Sequence, residues 1–466
     1  MKLEKLSVKE FLARIKSGDI DLDDFTAHVM ENSKSIQKKY NPFITLVDKI
    51  QKPKKKGKLY GLPISIKDNI CTKGIQTTAG SRILEGYTPP FSASCVENIV
   101  NEGAFILGKT AMDEFGFGTF SVNCAYGIPK NPLDTERSCG GSSGGASCFT
   151  AVADFPHVAL AESTGGSISC PAAFTGTVGL TPTYGLVSRW GLIDYANSLD
   201  KIGLITKSVY DIALSLSIIA GNDSKDSTSL NVPAHDYTKY LKKDIKGMKI
   251  GVPKEYFEGV DGKITKVIWN AIKKLEDLGA TYKEVSLPHT KYSLSAYYII
   301  AVSEASTNLA KYAGMRYGLH LELKGNFDEY FSAVRSNGFG EEAKRRIILG
   351  TFARMAGYRD AYYLKALKVR TKIIEDFKKA FKQFDVLAAP TMPVVAPRFD
   401  EIEKLSPIEN YMMDVLTVAP NLAGIPMISV PAGKVNNMPV GLHLMGDHLQ
   451  EGKILQVANS FKIQKY

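Results

Sequence analysis

The chain has 466 residues, of which 44% are hydrophobic, so it is long enough to bury a full core and its composition excludes a disordered protein. A formal net charge of +10 can attract an anionic partner such as RNA, but charge alone identifies no partner. The densest basic cluster, KPKKKGK at 52–58, is typical of a solvated loop. No apolar stretch reaches the roughly 20 residues that span a bilayer and no signal-peptide run opens the chain, so we expect a cytoplasmic protein without a membrane partner.

The first 58 residues are predicted to form an N-terminal helical region. Phe11 and Ile15 have helical spacing, and Ser7 with Glu10 forms a capping-box pattern before them. A second amphipathic helix is indicated around Phe25, after a run of acidic residues. We expect both helices to pack against a larger body.

From residue 60 onward, short apolar runs alternate with helical patterns, which is typical of an α/β protein. Residues 248–288 read as strand, helix and strand, and a mostly helical insertion is predicted over about 290–384. No repeat or low-complexity linker divides the chain. The sequence therefore predicts one domain over 1–466, built on a large mixed β-sheet flanked by helices.

The cysteines favour neither a zinc site nor a disulfide framework, because no close C-x-x-C pair and no histidine-rich cluster accompany them. We expect small buried hydrophobic side chains in a reducing compartment. The six residues are Cys71, Cys95, Cys124, Cys139, Cys148 and Cys170.

Two clusters of glycine and serine, CGGSSGGAS at 139–147 and STGGSIS at 163–169, are the unusual feature of the chain. The composition GGSSGG alone is that of a flexible linker. Its flanks argue against a linker, because the turn NPLDTER (131–137) precedes it and the apolar run FTAVADFPHVALA follows it. We therefore expect a rigid glycine-rich loop.

Such a loop lets backbone N–H groups converge on a developing oxyanion. Thr164, Gly165, Gly166 and Ser167 are the candidate donors. The hydroxyl of Ser167, beside this candidate oxyanion hole, is then the candidate nucleophile.

A serine nucleophile needs a base, and none of the seven histidines lies in a recognisable triad motif. The remaining candidate is Lys67 in GLPISIKDNI (61–70), with Ser142 as a bridge to Ser167. Burial would favour the uncharged form of the lysine, which can accept a proton. The alternative is a lysine at a strand end whose ammonium reaches solvent.

At these residues the chain resembles the amidase-signature family. The matching motifs are Lys67, GGSSGG at 140–145 and TGGSISCPAAFTGTVGLTPTYGLVSRWGLIDYANSLDKIG at 164–203. The similarity runs from about residue 60 to the end of the chain. It implies the amidase-signature fold and an amide hydrolase with a catalytic trio of Lys67, Ser142 and Ser167.

Further stretches resemble the branch of the family that serves tRNA-dependent amidotransferases, among them YYIIAVSEASTNLAKYAGMRYG (297–318). By this resemblance, Tyr297, Arg346 and Asp414 would line a glutamine pocket. Free glutamine carries an α-carboxylate and an α-ammonium, so a pocket that binds both needs a cation and an anion. Arg345, the neighbour of Arg346, is the alternative cation.

The resemblance implies a glutaminase subunit that supplies ammonia for the amidation of Glu-tRNA(Gln), Asp-tRNA(Asn) or both. It implies no cofactor in this chain. ATP and Mg²⁺ would be used by a kinase-like partner subunit that binds tRNA, because this chain has no G-x-x-x-x-G-K-[ST] loop. A small third subunit is also implied. The alternatives are a stand-alone amidase for small amides and a catalytically weak scaffold subunit.

The chain departs from the family pattern beside the nucleophile. Where family members usually have an aspartate and an arginine, this chain has Ser163 and Ser169. Both replacements are neutral, so no buried charge is left without a partner. We expect hydroxyl hydrogen bonds to hold the loop, with help from Glu162.

Overall fold

A central β-sheet organises the computed structural model, which describes residues 6–461. Within those residues eleven strands form one sheet in the order β1-β3-β2-β4-β6-β5-β10-β11-β9-β7-β8. The strands are β1 (Phe43–Leu46), β2 (Pro63–Lys67), β3 (Phe105–Thr110), β4 (Val158–Ser163), β5 (Val178–Thr181), β6 (Lys201–Thr206), β7 (Lys249–Pro253), β8 (Thr281–Val285), β9 (Val386–Pro390), β10 (Met427–Val435) and β11 (Met438–Met445).

Helices cover the sheet, as the α/β pattern predicts. They are α1 (Val8–Ser17), α2 (Leu22–Tyr40), α3 (Ser94–Asn101), α4 (Gly144–Val152), α5 (Ser169–Thr175), α6 (Val209–Ile219), α7 (Gly262–Asp277), α8 (Ser293–Asn308), α9 (Phe327–Gly338), α10 (Glu341–Arg354), α11 (Lys365–Phe381), α12 (Phe399–Ile402), α13 (Pro407–Met412), α14 (Val418–Ala423) and α15 (Glu451–Ser460).

The sheet is mixed, which confirms the predicted fold class. β2 runs parallel to β3 and β4, and β7 runs parallel to β8 and β9. β4, β6, β5, β10 and β11 are joined by antiparallel pairings. The predicted strand, helix and strand of residues 248–288 are β7, α7 and β8.

The two N-terminal helices form as predicted, but the helical region predicted over 1–58 also contains a strand, β1, at the edge of the sheet. The Ser7 hydroxyl accepts a hydrogen bond from the Glu10 amide at 3.2 Å, and the Glu10 carboxylate accepts from the Ser7 amide at 2.9 Å. This capping box satisfies two amides at the start of α1. The rings of Phe11 and Phe25 then pack 4.7 Å apart, and Phe25 contacts Phe155 of the main body at 6.3 Å.

The helical stretch predicted over about 290–384 contains α8, α9, α10 and α11, and α8 packs against both α10 and α11. This layer covers the site described below. The sheet takes strands from residue 43 to residue 445, so both halves of the chain contribute to it. One domain over 1–466 stays a prediction, and residues 1–5 and 462–466 lie outside the described part.

Within residues 6–461, no helix has both the length and the apolar character needed to cross a bilayer. The same residues contain no group of three or more histidine, cysteine or acidic side chains that could hold a metal ion. All six cysteines are free thiols.

Candidate active site

Lys67 is the centre of the candidate site and ends strand β2, whose residues are buried throughout. Its side chain has no solvent exposure. Its Nζ donates to the Ser142 Oγ at 2.8 Å and to the main-chain oxygen of Glu162 at 2.9 Å. The alternative of a lysine that extends into solvent is therefore wrong.

A carboxylate accompanies the lysine, which the sequence did not predict as a direct partner. The Glu162 Oε2 lies 2.9 Å from the Lys67 Nζ, and both side chains are buried. Lys67 therefore has a buried carboxylate as a partner in addition to the Ser142 hydroxyl. Asn69 also donates to the Glu162 Oε2, at 3.0 Å.

Strand register explains why these residues meet. β2 and β4 run parallel, with Ile66 opposite Leu160, so Lys67 and Glu162 lie at the same edge of the sheet. β4 and β6 run antiparallel, with Ser163 opposite Lys201. The residue before β6, Asp200, therefore lies at that edge too.

The first glycine and serine cluster is a buried loop and not a linker. Residues 139–147 are all buried, and α4 begins within the cluster at Gly144. Gly141 donates its amide hydrogen to the Thr119 oxygen at 2.6 Å, and the peptide bond that joins it to Ser142 is cis. A Cβ at Gly141 would lie 2.2 Å from a carboxylate oxygen of Asp113, so only glycine fits there.

The second cluster connects β4 to α5 and lies against the first. Ser167 is 6% exposed, and its main-chain oxygen accepts a hydrogen bond from the Ser143 amide at 3.2 Å. The loops that carry Ser142 and Ser167 are thus in direct contact. Within the described residues, no hydrogen bond joins the two hydroxyls.

The candidate oxyanion hole has donors available. In the part of the chain that the structure describes, the amides of Gly165, Gly166 and Ser167 donate to no protein acceptor. The amide of Thr164, the fourth candidate, also has no acceptor within the described residues, and the side chain of Thr164 makes hydrogen bonds to Glu162 and Asp200, both at 2.8 Å. Four adjacent amides therefore remain for a ligand oxygen.

Tyr297 of α8 closes one side of this loop. Its side chain is 3% exposed. A Cβ placed on Gly165 would lie 2.8 Å from its hydroxyl, so the tyrosine and the loop are in van der Waals contact. The predicted pocket residue and the predicted oxyanion loop are thus neighbours.

Arg346 of α10 is a buried cation held by aromatic rings. It donates to the Tyr195 hydroxyl at 2.6 Å and to the Glu342 carboxylate at 2.8 Å. Four rings lie within 5.7 Å of its guanidinium, a geometry that stabilises a desolvated cation. Its neighbour Arg345 has a side chain that is 43% exposed, so the two arginines have different environments.

Asp414 supplies the anion near Arg346. Its two oxygens accept hydrogen bonds from Thr119 at 3.0 Å and from the Tyr298 hydroxyl at 2.7 Å. Burial raises the pKa of Asp414 above its usual value. The Tyr298 ring also contacts the Arg346 guanidinium, 5.3 Å away, so one tyrosine joins the predicted cation and anion.

A cavity of about 500 Å³ opens beside this cluster and is lined by Thr119, Glu342, Arg346 and Tyr411, among others. Glu342 and Tyr195, which hold Arg346, were not singled out from the sequence, and neither was Asp200. Tyr195 and Asp200 fall inside the 164–203 stretch that carries the family resemblance, and that is the signal that points to them.

The two serines that replace the family's charged pair behave differently. The Ser163 hydroxyl donates to the Gly165 oxygen at 3.2 Å and accepts from Asn421 at 3.4 Å, as the hydrogen-bond hypothesis expects. The Ser169 hydroxyl is buried and has no partner within the described residues. Glu162 contacts Thr164 and not these serines. The hypothesis therefore holds for Ser163 and is wrong for Ser169.

The histidines take no part in this cluster. His157 is buried between the hydroxyls of Ser65 and Thr150, at 3.0 and 3.2 Å, and burial lowers its pKa to about 3. Across residues 6–461, no histidine hydrogen-bonds to Ser142 or Ser167. This agrees with the expectation of a base other than histidine.

Comparisons with known proteins give one consistent result. The family model described as Amidase matches residues 7–455. The chain is 48% identical to the A subunit of glutamyl-tRNA(Gln) amidotransferase from Carboxydothermus hydrogenoformans, over 99% of this chain and 98% of that protein.

Solved structures agree with this similarity. The crystal structure of the A subunit of glutamyl-tRNA(Gln) amidotransferase from Thermotoga maritima has a TM-score of 0.85 and 38% identity, over 98% of this chain and 94% of that one. Native peptide amidase from Stenotrophomonas maltophilia has a TM-score of 0.80 and 28% identity, over 98% and 96% of the two chains. The chain belongs to the amidase family.

Proposed function

We propose that this chain is the glutaminase subunit of a tRNA-dependent amidotransferase. It hydrolyses glutamine and supplies ammonia for the amidation of Glu-tRNA(Gln), Asp-tRNA(Asn) or both by a partner subunit. The observation that carries the proposal is the buried 2.8 Å hydrogen bond from Lys67 to Ser142, next to the loop of Ser167. Near-full-length similarity to the A subunits of amidotransferases supports the role in the complex.

In the proposed reaction, Ser167 attacks the side-chain amide carbon of glutamine. Ser142 takes the proton of Ser167 and passes its own to Lys67, and a proton then returns from Lys67 to the amide nitrogen, which leaves as ammonia when its bond to carbon breaks. The amides of Thr164, Gly165, Gly166 and Ser167 stabilise the oxyanion. Water then hydrolyses the glutamyl ester and regenerates the serine.

Arg346, Asp414 and Tyr297 form the proposed glutamine pocket. Arg346 pairs with the α-carboxylate of glutamine, and Asp414 pairs with its α-ammonium. Tyr297 forms the wall of the pocket next to the loop of Gly165. Because the Arg346 guanidinium is already oriented by Tyr195 and Glu342, binding requires little further ordering of that side chain.

The proposed complex contains two further subunits and acts in the cytoplasm. A kinase-like subunit binds tRNA and uses ATP and Mg²⁺, and a small subunit completes the assembly. This chain contributes no cofactor of its own and meets tRNA through the complex. The amidotransferase names of its relatives support this assignment.

The decisive experiment compares glutamine with free ammonia as nitrogen donor. In the complex, Ser167→Ala is expected to lower glutamine-dependent amidation at least about 1,000-fold and to keep ammonia-dependent amidation, because only ammonia generation is lost. Ser147→Ala, a buried serine of α4 outside the trio, is the matched control and should retain both activities. Unchanged glutamine-dependent activity in Ser167→Ala contradicts the proposal and favours the scaffold role.

A second candidate is a stand-alone amidase for small amides, favoured by the structural similarity to peptide amidase. Co-purification with other subunits and ammonia release stimulated by charged tRNA separate the two roles. An isolated chain that hydrolyses simple amides and ignores glutamine supports this second candidate.

A further inference from the structure

Thr119, in the loop that follows β3, contacts both the loop of the bridging serine and the candidate glutamine pocket. Its main-chain oxygen accepts a hydrogen bond at 2.6 Å from the amide of Gly141, the residue before Ser142. Its hydroxyl donates to the Asp414 Oδ1 at 3.0 Å. Thr119 is 5% exposed and lines the cavity of about 500 Å³. One residue thus connects the loop of Ser142 with the anion of the pocket.

Asp113 fixes the main chain of the loop that carries Thr119. Its carboxylate has no solvent exposure and accepts hydrogen bonds from the amides of Ser121 and Asn123, both at 2.9 Å. The Asp113 amide donates to the Ser142 oxygen at 3.3 Å. The loop of Thr119 is therefore held against the loop of Ser142 at two points, at Thr119 itself and at Asp113.

Asp414 depends on hydroxyl donors because its carboxylate is buried. Its Oδ1 accepts from Thr119 and its Oδ2 accepts from Tyr298, and in the described part of the chain no third side chain donates to this carboxylate. Burial raises the pKa of Asp414, whereas the two hydrogen bonds and the charge of Arg346 lower it. Each carboxylate oxygen has a second lone pair, so the group can still accept from an ammonium.

The two contacts of Thr119 use different parts of the residue. The contact with Gly141 involves the main chain, whereas the contact with Asp414 involves the side chain. Without the Thr119 hydroxyl, the Asp414 Oδ1 loses its donor in a buried site, which destabilises the ionised carboxylate and loosens its orientation. A change of the Thr119 side chain can therefore disturb Asp414 and leave the loop of Ser142 in place.

We propose that Thr119 is a positioning residue that determines specificity for the α-ammonium of glutamine. Its hydroxyl orients the Asp414 carboxylate toward that ammonium. Its main chain fixes the same carboxylate relative to the loop of Ser142. The anion that binds one end of glutamine and the serine that serves the other end are thereby held at a constant separation.

This arrangement makes the α-ammonium part of substrate selection. A glutamine whose ammonium pairs with a fixed Asp414 presents its side-chain amide at a set distance from that anion, next to Ser167. An amide without an α-ammonium gains nothing from Asp414. Loss of the Thr119 hydroxyl should therefore weaken the use of glutamine selectively. The inference rests on the proposed glutamine pocket and names the residue that fixes its anion.

The test compares glutamine with glutaramate, which is glutamine without its α-amino group, as substrates of the full chain with any subunits that co-purify. Thr119→Val keeps the branched shape and the main-chain oxygen but removes the hydroxyl. It is expected to lower kcat/KM for glutamine about tenfold, mainly through KM, and kcat/KM for glutaramate by less than about twofold. Equal changes with both substrates, which a merely structural role predicts, overturn the inference.

Two further variants keep the question answerable if Thr119→Val does not fold. Thr119→Ser retains the hydroxyl and should keep most of the wild-type preference for glutamine over glutaramate. Thr119→Ala removes the hydroxyl without placing a methyl group beside the carboxylate, and it should show the same selective loss as the valine variant. Equal preferences in the serine and alanine variants overturn the inference.

Asp414→Asn separates failure of this inference from failure of the proposed function. It is expected to lose most of the preference for glutamine over glutaramate. If it does and Thr119→Val keeps the wild-type preference, only the inference is overturned. If Asp414→Asn keeps the preference, the proposed pocket is wrong and the inference is overturned with it. A wild type that hydrolyses no glutamine contradicts the proposed function, and calorimetric affinities of the two compounds for the same variants then decide the inference.

Discussion

At the scale of single residues, hydrogen-bond satisfaction decides the effect of the two serines beside the nucleophile. The Ser163 hydroxyl has two partners, and the Ser169 hydroxyl has none in the described part of the chain. A buried hydroxyl without a partner costs free energy, whereas a bonded one contributes about 1 kcal/mol. The same substitution at the two sites should therefore have different effects on the free energy of unfolding.

Ser169→Ala is expected to leave the free energy of unfolding unchanged or to raise it by up to about 1 kcal/mol, because no hydrogen bond is lost. The matched control, Ser163→Ala, should lower the free energy of unfolding by about 1 kcal/mol. Denaturant unfolding at neutral pH measures both values. A loss in Ser169→Ala equal to that in Ser163→Ala would show that Ser169 has a partner after all.

The family's charged pair offers a second residue-scale test. Because both present residues are neutral, Ser163→Asp with Ser169→Arg is expected to restore an ion pair and to keep glutaminase activity within about tenfold of the wild type. Activity of the soluble double variant gives the answer. Loss of activity or of solubility would show that the serine pair and the family's aspartate and arginine pair are not interchangeable in this protein.

At the scale of elements, a buried carboxylate fixes the start of α10, the helix that carries Arg346. Glu114 accepts hydrogen bonds from the Gly340 amide at 3.0 Å and from the Ser81 hydroxyl. Burial raises the pKa of Glu114 to about 7 from its ordinary value of 4.5. The folded chain therefore binds more protons than the unfolded chain across that interval.

This contact should make stability depend on pH. The stabilisation that protonated Glu114 contributes is fully present below about pH 4.5 and is lost as the pH rises to about 7, a change of about 3 kcal/mol. Glu114→Gln cannot ionise, so its free energy of unfolding should fall less than that of the wild type between about pH 5 and about pH 7.5. Parallel pH curves for the two proteins would be the contrary outcome.

The apolar face of α7 is a second element with a clear test. Ile264, Ile268, Ile272 and Leu275 are all buried against the sheet. Ile268→Ala should lower the free energy of unfolding by about 2–5 kcal/mol, because it removes buried methyl groups and leaves a cavity. Lys266→Ala, on the exposed face of the same helix, should change it by less than about 0.5 kcal/mol. Urea unfolding of both variants provides the comparison.

At the scale of the whole molecule, the two halves of the chain share one sheet. β5 of the first half pairs with β10 of the second, through Met427 opposite Thr181 and the next two pairs. The pairing buries main-chain groups of both halves in one continuous structure. Separate unfolding of either half would expose those groups.

The two tryptophans test this unity, because they lie in different halves. Trp190 packs against Phe91, and Trp269 stacks on Phe257. Trp190→Phe and Trp269→Phe leave one fluorescent reporter each, and the two variants should unfold at the same denaturant midpoint. Midpoints that differ, after correction for each variant's own stability, would indicate two domains.

Local pattern was sufficient for much of this fold. Residue spacing predicts the capping box at Ser7, the buried face of α7 and the strand that ends at Lys67. Spacing is sufficient there because the side-chain direction in helices and strands repeats every few residues. The glycine-rich loops were also recognisable, because their apolar flanks excluded a linker.

The sequence by itself determined the residue types of the site: a lysine in an apolar strand, two serines in glycine-rich loops, and a separate cation and anion. Only the tertiary structure decided that Glu162 pairs with Lys67, that Asp200 meets Thr164 and that Ser169 lacks a partner within the described residues. Those contacts depend on how β2, β4 and β6 align across the sheet. Register between strands is set by the packing of the whole core, and no local stretch of sequence encodes it.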